Sequence, residues 1–330
     1  MTGQAERAIR WGIIGCGDVT EVKSGPGFQK AEGSALVAVM RRNGDLARDY
    51  AQRHGVARWY DNAEALVHDA AVDAIYVATP PSSHLEYALM AAKAGKPVYV
   101  EKPMATTYTE CLAMIDGCRS LGVPLFAAFY RRALTRYVEI KRLIDTGAIG
   151  DVRFVSITLY QPISKEDVDP TGPAWRVVPA IAGNGGRFVD LASHMLDFLD
   201  FALGPIVQAR GSASNQAKQY AAQDIVSGSF VFASGAHGVG TWCFTAYDRF
   251  DQTDIVGTKG KISYSTFDYR PVVLTTSSGA VELPFESPAH IQQQLIQTIV
   301  DELHGRGACP STGESAARTT WVMDQILRTD

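Results

Sequence analysis

The sequence lacks the features that mark secreted, membrane-spanning or nucleic-acid-binding proteins. Its five cysteines are an odd number without C-x-x-C spacing, so neither a disulfide framework nor a cysteine zinc site is expected. No apolar run approaches the length of a membrane-spanning helix, and residues 1–10 are polar without an apolar signal core. A net charge of −4 and a pI near 6.0 argue against a nucleic-acid or membrane partner. We therefore predict a cytoplasmic protein.

What the chain does contain is typical of an ordinary globular protein of two domains. It has 330 residues, of which 46% are hydrophobic and 20% charged, enough to bury an ample core. In the first half, short apolar runs alternate with helical patterns. The runs are residues 8–14, 35–40, 72–78, 97–100 and 123–128. This alternation predicts an α/β Rossmann domain, a doubly wound parallel sheet, over residues 1–128.

A glycine motif follows the first predicted strand. Gly12, Gly15 and Gly17 lie in a G-x-x-G-x-G pattern, and Asp18 and Val19 begin a helical stretch that runs to about residue 30. Strand, glycine turn, helix and second strand within about thirty residues is the context in which such a motif binds a dinucleotide. The glycines allow a tight turn and a close approach of the backbone to pyrophosphate, and the helix start supplies N–H donors. We predict that these five residues bind the cofactor.

Two departures from the usual pattern bear on the choice of nicotinamide nucleotide. Thr20 stands where the fingerprint has Gly or Ala, and Arg41 and Arg42 follow the second strand where NAD-binding proteins usually carry an acidic residue. A guanidinium can pair with a 2′-phosphate, whereas a carboxylate would repel it. The residues favour NADP. In the alternative, both arginines are solvated and Asp45 binds the ribose of NAD.

Two more loops follow strands, and ligands of parallel sheets bind at these carboxyl ends. Thr79, Pro80 and His84 come after the run 72–78, and Glu101 and Lys102, followed by a proline, come after the run 97–100. The proline ends the strand, so Lys102 would be a fixed cation at this edge. We predict that all five contact the cofactor. Alternatively, His84 is structural and the Glu-Lys pair is solvated.

The second half predicts a different architecture. Strand patterns occupy residues 152–161, 207–213, 224–232, 237–245, 252–256 and 261–264, and helical patterns occupy 131–145, 290–304 and 316–327. Successive strands with short turns indicate a mostly antiparallel sheet with one face available for self-association. Residues 129–330 are therefore predicted to form an α+β domain with an open sheet, which binds substrate and mediates oligomerisation.

One helix in this half carries candidate catalytic residues. It starts at Gly185-Gly186, and Asp190, His194 and Asp197 follow at spacings of four and three, which project from one face. A carboxylate one turn from an imidazole orients it and raises its basicity, as general acid/base catalysis near neutral pH requires. A core histidine satisfied by a neighbouring aspartate is the structural alternative. A metal site is the third, but no further ligand cluster completes it.

Substrate contacts are expected from two other segments. The loop over residues 162–186 contains Trp175, which offers an apolar ring face, and Arg176, which offers hydrogen-bond donors. Tyr130 and Arg131 lie just past the last predicted Rossmann strand and could contact substrate as well, although Arg131 could instead form a structural ion pair.

Taken together, the chain resembles the Gfo/Idh/MocA family of oxidoreductases. The resemblance rests on the glycine motif, the Thr-Pro pair with His84, Glu101-Lys102, the Trp-Arg pair and the Gly-Gly helix with Asp190 and His194. It implies a Rossmann domain followed by an open antiparallel sheet, a homodimer or homotetramer formed through that sheet, and dehydrogenases or reductases of sugars, inositols or related polyols. It also implies that Lys102 is the catalytic lysine, His194 the acid/base and Asp190 an acid beside the substrate.

Two other functions use the same scaffold. A regulator could bind the nicotinamide dinucleotide without catalysis, although an intact lysine, aspartate and histidine set argues against it. A glycosidase could oxidise its substrate transiently and return the cofactor to its original redox state. Tightly retained cofactor without a net redox change would distinguish the latter.

Overall fold

The computed structural model describes residues 7–328; the remaining residues, 1–6 and 329–330, lie outside the description, including most of the polar N-terminal segment noted above. Within residues 7–328, no helix is both long and apolar enough to cross a membrane. The chain divides into two compact units. Unit 1 comprises Met1–Ala105, Thr109–Leu134 and Pro288–Ala316, and unit 2 comprises Thr106–Tyr108, Thr135–Ser287 and Ala317–Asp330. The boundary after residue 128 stays a prediction.

The strands form two sheets, one in each unit. They are β1 (Ile9–Ile14), β2 (Ser34–Met40), β3 (Arg58–Tyr60), β4 (Ala74–Val77), β5 (Val98–Val100), β6 (Leu125–Ala127), β7 (Val152–Tyr160), β8 (Ile206–Ser214), β9 (Ile225–Phe232), β10 (His237–Cys243), β11 (Phe250–Gly257), β12 (Gly260–Tyr264), β13 (Val272–Thr276) and β14 (Gly279–Leu283).

The helices connect these strands and cover them. They are α1 (Asp18–Val22), α2 (Gly25–Lys30), α3 (Gly44–His54), α4 (Ala63–Val67), α5 (His84–Lys93), α6 (Tyr108–Ser120), α7 (Thr135–Asp145), α8 (Pro179–Ala182), α9 (Arg187–Leu203), α10 (Gln293–Leu303) and α11 (Gly313–Leu327).

Unit 1 contains the predicted Rossmann sheet. Its six strands are all parallel, in the order β3-β2-β1-β4-β5-β6, so the strand order reverses between β1 and β4. The doubly wound architecture predicted from the alternation is confirmed. Helix α3 was not predicted, although Asn43 caps its start and Gly55, at a φ of 65°, ends it. Both are ordinary helix-boundary signals.

A buried aromatic cluster lies beside β1, β4 and β5. Trp11, Phe28, Tyr76 and Tyr99 are each fully buried, and the Tyr76 and Tyr99 rings stack with centroids 4.8 Å apart. Truncating such a side chain to alanine typically costs about 3–5 kcal/mol. The cluster therefore anchors β4 and β5 firmly, and it fixes the directions of the two tyrosine hydroxyls.

Unit 2 contains the predicted open sheet. Its eight strands run in the order β14-β13-β12-β11-β7-β10-β9-β8, and all neighbours are antiparallel except β7 and β10, which are parallel. The prediction of a mostly antiparallel sheet is confirmed. The pattern missed β13 and β14, because β14 is almost wholly exposed and β13 has a single buried residue.

One face of this sheet is covered by α9. Trp242 of β10 donates its indole N–H to the Met195 sulfur at 3.4 Å, and its ring meets Phe188 edge-on at 5.0 Å. Gly240 permits this packing, since a Cβ there would lie 2.2 Å from the Trp242 ring. The opposite face exposes Phe154 and Val239.

Candidate active site

The glycine loop has the shape that a dinucleotide pyrophosphate requires. Gly15 has a φ of +92°, and a Cβ on it would lie 2.6 Å from Thr79 Cγ2, so only glycine fits there. Gly17 is different, because a Cβ on it would meet nothing nearer than the Gly15 carbonyl oxygen at 3.9 Å. The space beside Gly17 is open for a phosphate group, and the residues of the loop fit the pyrophosphate of a dinucleotide.

Thr20, the departure from the fingerprint, holds this loop in place. Its hydroxyl donates to the Gly17 carbonyl oxygen at 2.8 Å and accepts from the Gly17 N–H at 3.0 Å. The Tyr50 hydroxyl in turn donates to the Thr20 carbonyl oxygen at 2.8 Å. The prediction of one helix to residue 30 is wrong. The stretch forms two helices, α1 and α2. At the break the Gly25 backbone packs against Thr20, and a Cβ on Gly25 would lie 2.2 Å from the Thr20 carbonyl oxygen.

The residues after β2 have the charge expected for a phosphate-binding edge. Arg41 and Arg42 are both exposed. The Met40 carbonyl oxygen, directly before Arg41, accepts from the Gly15 and Cys16 backbone N–H groups at 2.8 and 3.1 Å, so Arg41 follows a residue that is bound to the glycine loop. Asp45, the alternative ribose ligand, forms an ion pair with Arg48 at 2.7 Å in the first turn of α3.

His84 connects the loop after β4 with the loop after β5. Its Nε2 lies 2.6 Å from the Thr79 carbonyl oxygen, and its Nδ1 lies 3.1 Å from the Pro103 carbonyl oxygen and 3.2 Å from that of Met104. The ring is fully buried, and burial lowers the pKa of His84 below its ordinary 6.5, although these carbonyl groups oppose the shift. This geometry supports the structural alternative, and contact of His84 with the cofactor stays a prediction.

Lys102 follows Glu101, whose buried carboxylate accepts hydrogen bonds on both oxygens. Oε1 of Glu101 accepts from the Tyr76 hydroxyl at 2.5 Å and from the Gln292 side-chain amide at 2.6 Å, and Oε2 accepts from the Lys102 backbone N–H at 3.0 Å. The Lys102–Pro103 peptide is cis, and Lys102 is half-buried. Gln292 could not be found from the sequence, because it lies 191 positions from Glu101 and no local pattern marks it.

On α9, Asp190 is bound by Arg176, which lies in the loop over residues 162–186. Arg176 donates from Nε to Asp190 Oδ2 at 3.1 Å, and its guanidinium lies 4.6 Å from the centre of the Trp175 ring. The structure thus brings together three of the predicted site residues. The Arg176 guanidinium lies over one face of the Trp175 indole.

His194 lies one turn further along α9 and is 4% exposed. Its imidazole meets the Phe267 ring edge-on, with centroids 6.0 Å apart. Asp197 is also buried and accepts from the Thr319 hydroxyl of α11 at 3.4 Å. Phe267 was missed because it belongs to a loop that carries no periodic pattern.

The loop that contains Trp175 is anchored by a buried ion pair. Arg187, the first residue of α9, donates from Nη2 and Nε to the two carboxylate oxygens of Asp167 at 2.6 and 2.9 Å. The side chains are only 11% and 2% exposed. Neither residue was singled out from the sequence, where each looks like an ordinary surface charge.

Tyr130 and Arg131 lie in unit 1, in a short 3-10 turn after β6. Both are buried, and the Arg131 guanidinium lies 5.1 Å from the centre of the Tyr130 ring. The helix predicted over residues 131–145 begins later, at Thr135. Contact of these two residues with substrate stays a prediction.

A doubly wound parallel sheet with an open glycine loop is the architecture of a dinucleotide-binding protein. Comparison with protein families is in agreement. Residues 9–129 match the oxidoreductase family with an NAD-binding Rossmann fold, and residues 137–263 match the Gfo/Idh/MocA C-terminal domain. The chain belongs to the Gfo/Idh/MocA oxidoreductase family, and its nucleotide is a nicotinamide dinucleotide.

Individual relatives extend this result over nearly the whole chain. The chain is 42% identical over 325 residues to oxidoreductase P35 of Formosa agariphila, covering 98% of this chain and 100% of that protein. It is 29% identical to the 1,5-anhydro-D-fructose reductase of Ensifer adhaerens, covering 92% and 91% of the two chains. The structure of the aldose–aldose oxidoreductase of Caulobacter crescentus has a TM-score of 0.83 and 25% identity, covering 97% and 96%.

Proposed function

We propose that the protein transfers a hydride between a nicotinamide nucleotide and a secondary alcohol or ketone of a sugar, inositol or related polyol. The observation that carries the proposal is the arrangement on α9, where Asp190 and the buried His194 lie one turn apart and Arg176 binds Asp190. The reductase and the aldose oxidoreductase among the relatives support a carbohydrate substrate.

Each of three residues has a proposed task in the reaction. The nicotinamide, when bound, accepts or supplies the hydride. His194 accepts the hydroxyl proton during oxidation and returns it during reduction. Lys102 hydrogen-bonds the reacting oxygen and stabilises the negative charge that develops on it. Asp190 binds a neighbouring hydroxyl or orients the imidazole.

We assign binding roles to the other predicted residues. Trp175 and Arg176, with Tyr130 and Arg131, contact the substrate. The cofactor-binding set comprises Gly12, Gly15, Gly17, Asp18, Val19, Arg41, Arg42, Thr79, Pro80, His84, Glu101 and Lys102. The exposed guanidinium groups of Arg41 and Arg42 support NADP over NAD, because each can form charge-assisted hydrogen bonds with a 2′-phosphate.

We also propose that the chain forms a homodimer or homotetramer through the unit 2 sheet. The face opposite α9 exposes Phe154 and Val239, which are 45% and 52% accessible in the single chain. Apolar side chains on an open sheet face are typical of an association surface. The cytoplasmic location stays a prediction.

The decisive experiment is nicotinamide absorbance against a panel of sugars and polyols, with NAD and NADP side by side. We expect turnover that requires NADP. Turnover with NAD alone would keep the reaction and contradict the NADP preference. Tightly retained nucleotide that returns to its original redox state while a glycosidic bond is cleaved would instead identify the redox-neutral glycosidase.

The Lys102→Ala variant tests the proposed mechanism. Turnover should fall by roughly 10²- to 10⁴-fold, and nucleotide affinity should be largely kept, because the glycine loop and Arg41 remain. An equal loss of nucleotide affinity and turnover would contradict a catalytic role for Lys102.

A further inference from the structure

Gln292 is a buried polar residue in unit 1 with no assigned role. It lies immediately before α10 and is 1% exposed. Its side-chain N–H donates to Glu101 Oε1 at 2.6 Å, and its side-chain oxygen accepts from the Tyr99 hydroxyl at 2.8 Å. Both ends of the amide are therefore engaged, so its orientation is fixed by its neighbours.

The contact with Glu101 is important because that carboxylate is almost fully withdrawn from water. Glu101 is 6% exposed, and a buried carboxylate needs donors to offset the loss of its hydration. Gln292 and Tyr76 supply two donors to Oε1, and the Lys102 N–H supplies one to Oε2. Removing the Gln292 donor would leave Glu101 Oε1 with the Tyr76 hydroxyl as its one remaining donor among these contacts. The carboxylate would then turn, and the Lys102 backbone that it holds would turn with it.

The same segment also contacts the element that follows the glycine loop. The Gln292 backbone N–H donates to the Lys23 carbonyl oxygen at 3.1 Å, and His290 Nδ1 lies 2.8 Å from the Val22 carbonyl oxygen. Val22 ends α1, which begins at the glycine loop. One short segment thus binds both the end of α1 and the carboxylate beside Lys102.

We propose that Gln292 is the positioning residue for Lys102: it holds Glu101 so that the Lys102 ammonium is correctly placed, and it connects this placement to the nucleotide-binding loop through the end of α1. This role deepens the proposed function and rests on it for the identity of the reaction. The juxtaposition of Gln292, Glu101 and the Lys102 N–H is independent of the substrate.

The first test compares Gln292→Leu with Gln297→Leu. Gln297 is a matched control, because this α10 residue also bridges to another segment, accepting from the Glu32 N–H at 2.7 Å and donating to the Glu32 carbonyl oxygen at 3.2 Å. We expect Gln292→Leu to lower kcat about tenfold to a hundredfold, with little change in KM for the polyol. Gln297→Leu should keep the native kcat. Equal kcat values for the two variants, measured on the folded fraction of each, would overturn the proposal.

A second variant, Gln292→Glu, separates positioning from loss of packing. Two carboxylates in contact share a proton, which raises the pKa of the pair. At low pH the shared proton preserves the hydrogen bond to Glu101, and at high pH the two charges repel. The ratio of variant kcat to native kcat should therefore be near one at low pH and fall as the pH rises. A ratio that does not change with pH would contradict the proposed role.

A third readout needs no substrate and separates failure of this proposal from failure of the proposed function. The rate at which acetic anhydride acetylates Lys102 is followed by mass spectrometry across pH in the native protein and both leucine variants. We expect a changed profile for Lys102 in Gln292→Leu and the native profile in Gln297→Leu. If the native protein neither oxidises nor reduces any compound in the panel, the proposed function fails. Identical Lys102 profiles in all three proteins would show that Gln292 does not position the lysine.

Discussion

Arg176 donates its Nε–H to Asp190 Oδ2 at 3.1 Å while its guanidinium lies 4.6 Å from the Trp175 ring centre. In this ion pair the Arg176 side chain is 35% exposed to solvent, and the Asp190 side chain is more buried, at 13% exposed. One arginine therefore orients both a carboxylate of the proposed acid/base helix and an aromatic ring proposed to contact substrate.

This arrangement predicts that Arg176→Ala impairs substrate binding more than it impairs the reaction step. Loss of one charge-assisted hydrogen bond weakens binding by about 1.5–3 kcal/mol, so KM for the polyol should rise at least about tenfold. Steady-state kinetics at saturating nucleotide measure it, with the exposed Arg153→Ala as control. An unchanged KM with a reduced kcat would show that Arg176 acts on the reacting atoms instead.

The buried pair of Arg187 and Asp167 should be a strong determinant of stability. Asp167→Asn leaves the Arg187 charge buried without its full partner, which typically destabilises by about 3–5 kcal/mol. Urea unfolding would measure the loss, and the double variant Asp167→Leu with Arg187→Met should recover much of it. The control is the pair of exposed Arg142 and half-buried Glu139, which remains in contact with solvent, and Glu139→Gln should cost about 0–1 kcal/mol. Equal losses for the two carboxylate variants would contradict the prediction.

The two arginines after β2 predict the choice of nucleotide. Changing both Arg41 and Arg42 to alanine should raise KM for NADP at least tenfold, which corresponds to about 1.4 kcal/mol, and leave KM for NAD nearly unchanged. Only NADP carries the 2′-phosphate that they would contact. The exposed Arg142→Ala, which removes a charge elsewhere, should change neither constant. Parallel increases for both nucleotides would show that the arginines act on a group that NAD shares.

Acid stability should depend on Glu21, which lies in α1 beside α3. Hydrogen bonds from Arg53 lower the pKa of Glu21 from its ordinary 4.5 to about 2, although partial burial opposes the shift and His54 assists it. Because the folded-state pKa is depressed, the contribution to stability is complete above pH 4.5 and is lost as the pH falls toward about 2.

The Glu21→Gln variant should therefore be less stable than the native protein at neutral pH, and the two should converge as the pH approaches about 2. Urea unfolding across this range measures the difference. Glu64→Gln, a change on α4 away from this cluster, should follow the native curve at every pH. A Glu21→Gln deficit that stays constant down to the lowest pH would mean that the ion pair does not account for it.

Local signals were sufficient to predict the architecture but not the contacts that hold the site. The alternation of apolar runs with helical patterns predicted the parallel sheet, and successive strand patterns separated by short turns predicted the antiparallel one. Edge strands such as β3 and β14 carry no such pattern, since most of their residues are exposed. Local sequence likewise could not show that Thr20 would fix the glycine loop by reciprocal hydrogen bonds with Gly17.

The same limit applies to the candidate site. Residue type and spacing predicted Lys102, Asp190 and His194 as candidates, because these groups carry recognisable chemistry. The residues around them, such as Gln292 and Asp167, became evident only in three dimensions. They are common polar residues whose importance comes from burial and from partners far along the chain.

Unit 1 is completed by residues 288–316, which follow the whole of segment 135–287 in the chain. During translation, the ribosome therefore releases the lysine loop roughly 190 residues before it releases Gln292. Until Gln292 emerges, the Glu101 carboxylate lacks one of its hydrogen-bond donors, and the first half of the nascent chain must remain without this contact. The order of synthesis thus delays assembly of the lysine site until Gln292 has emerged.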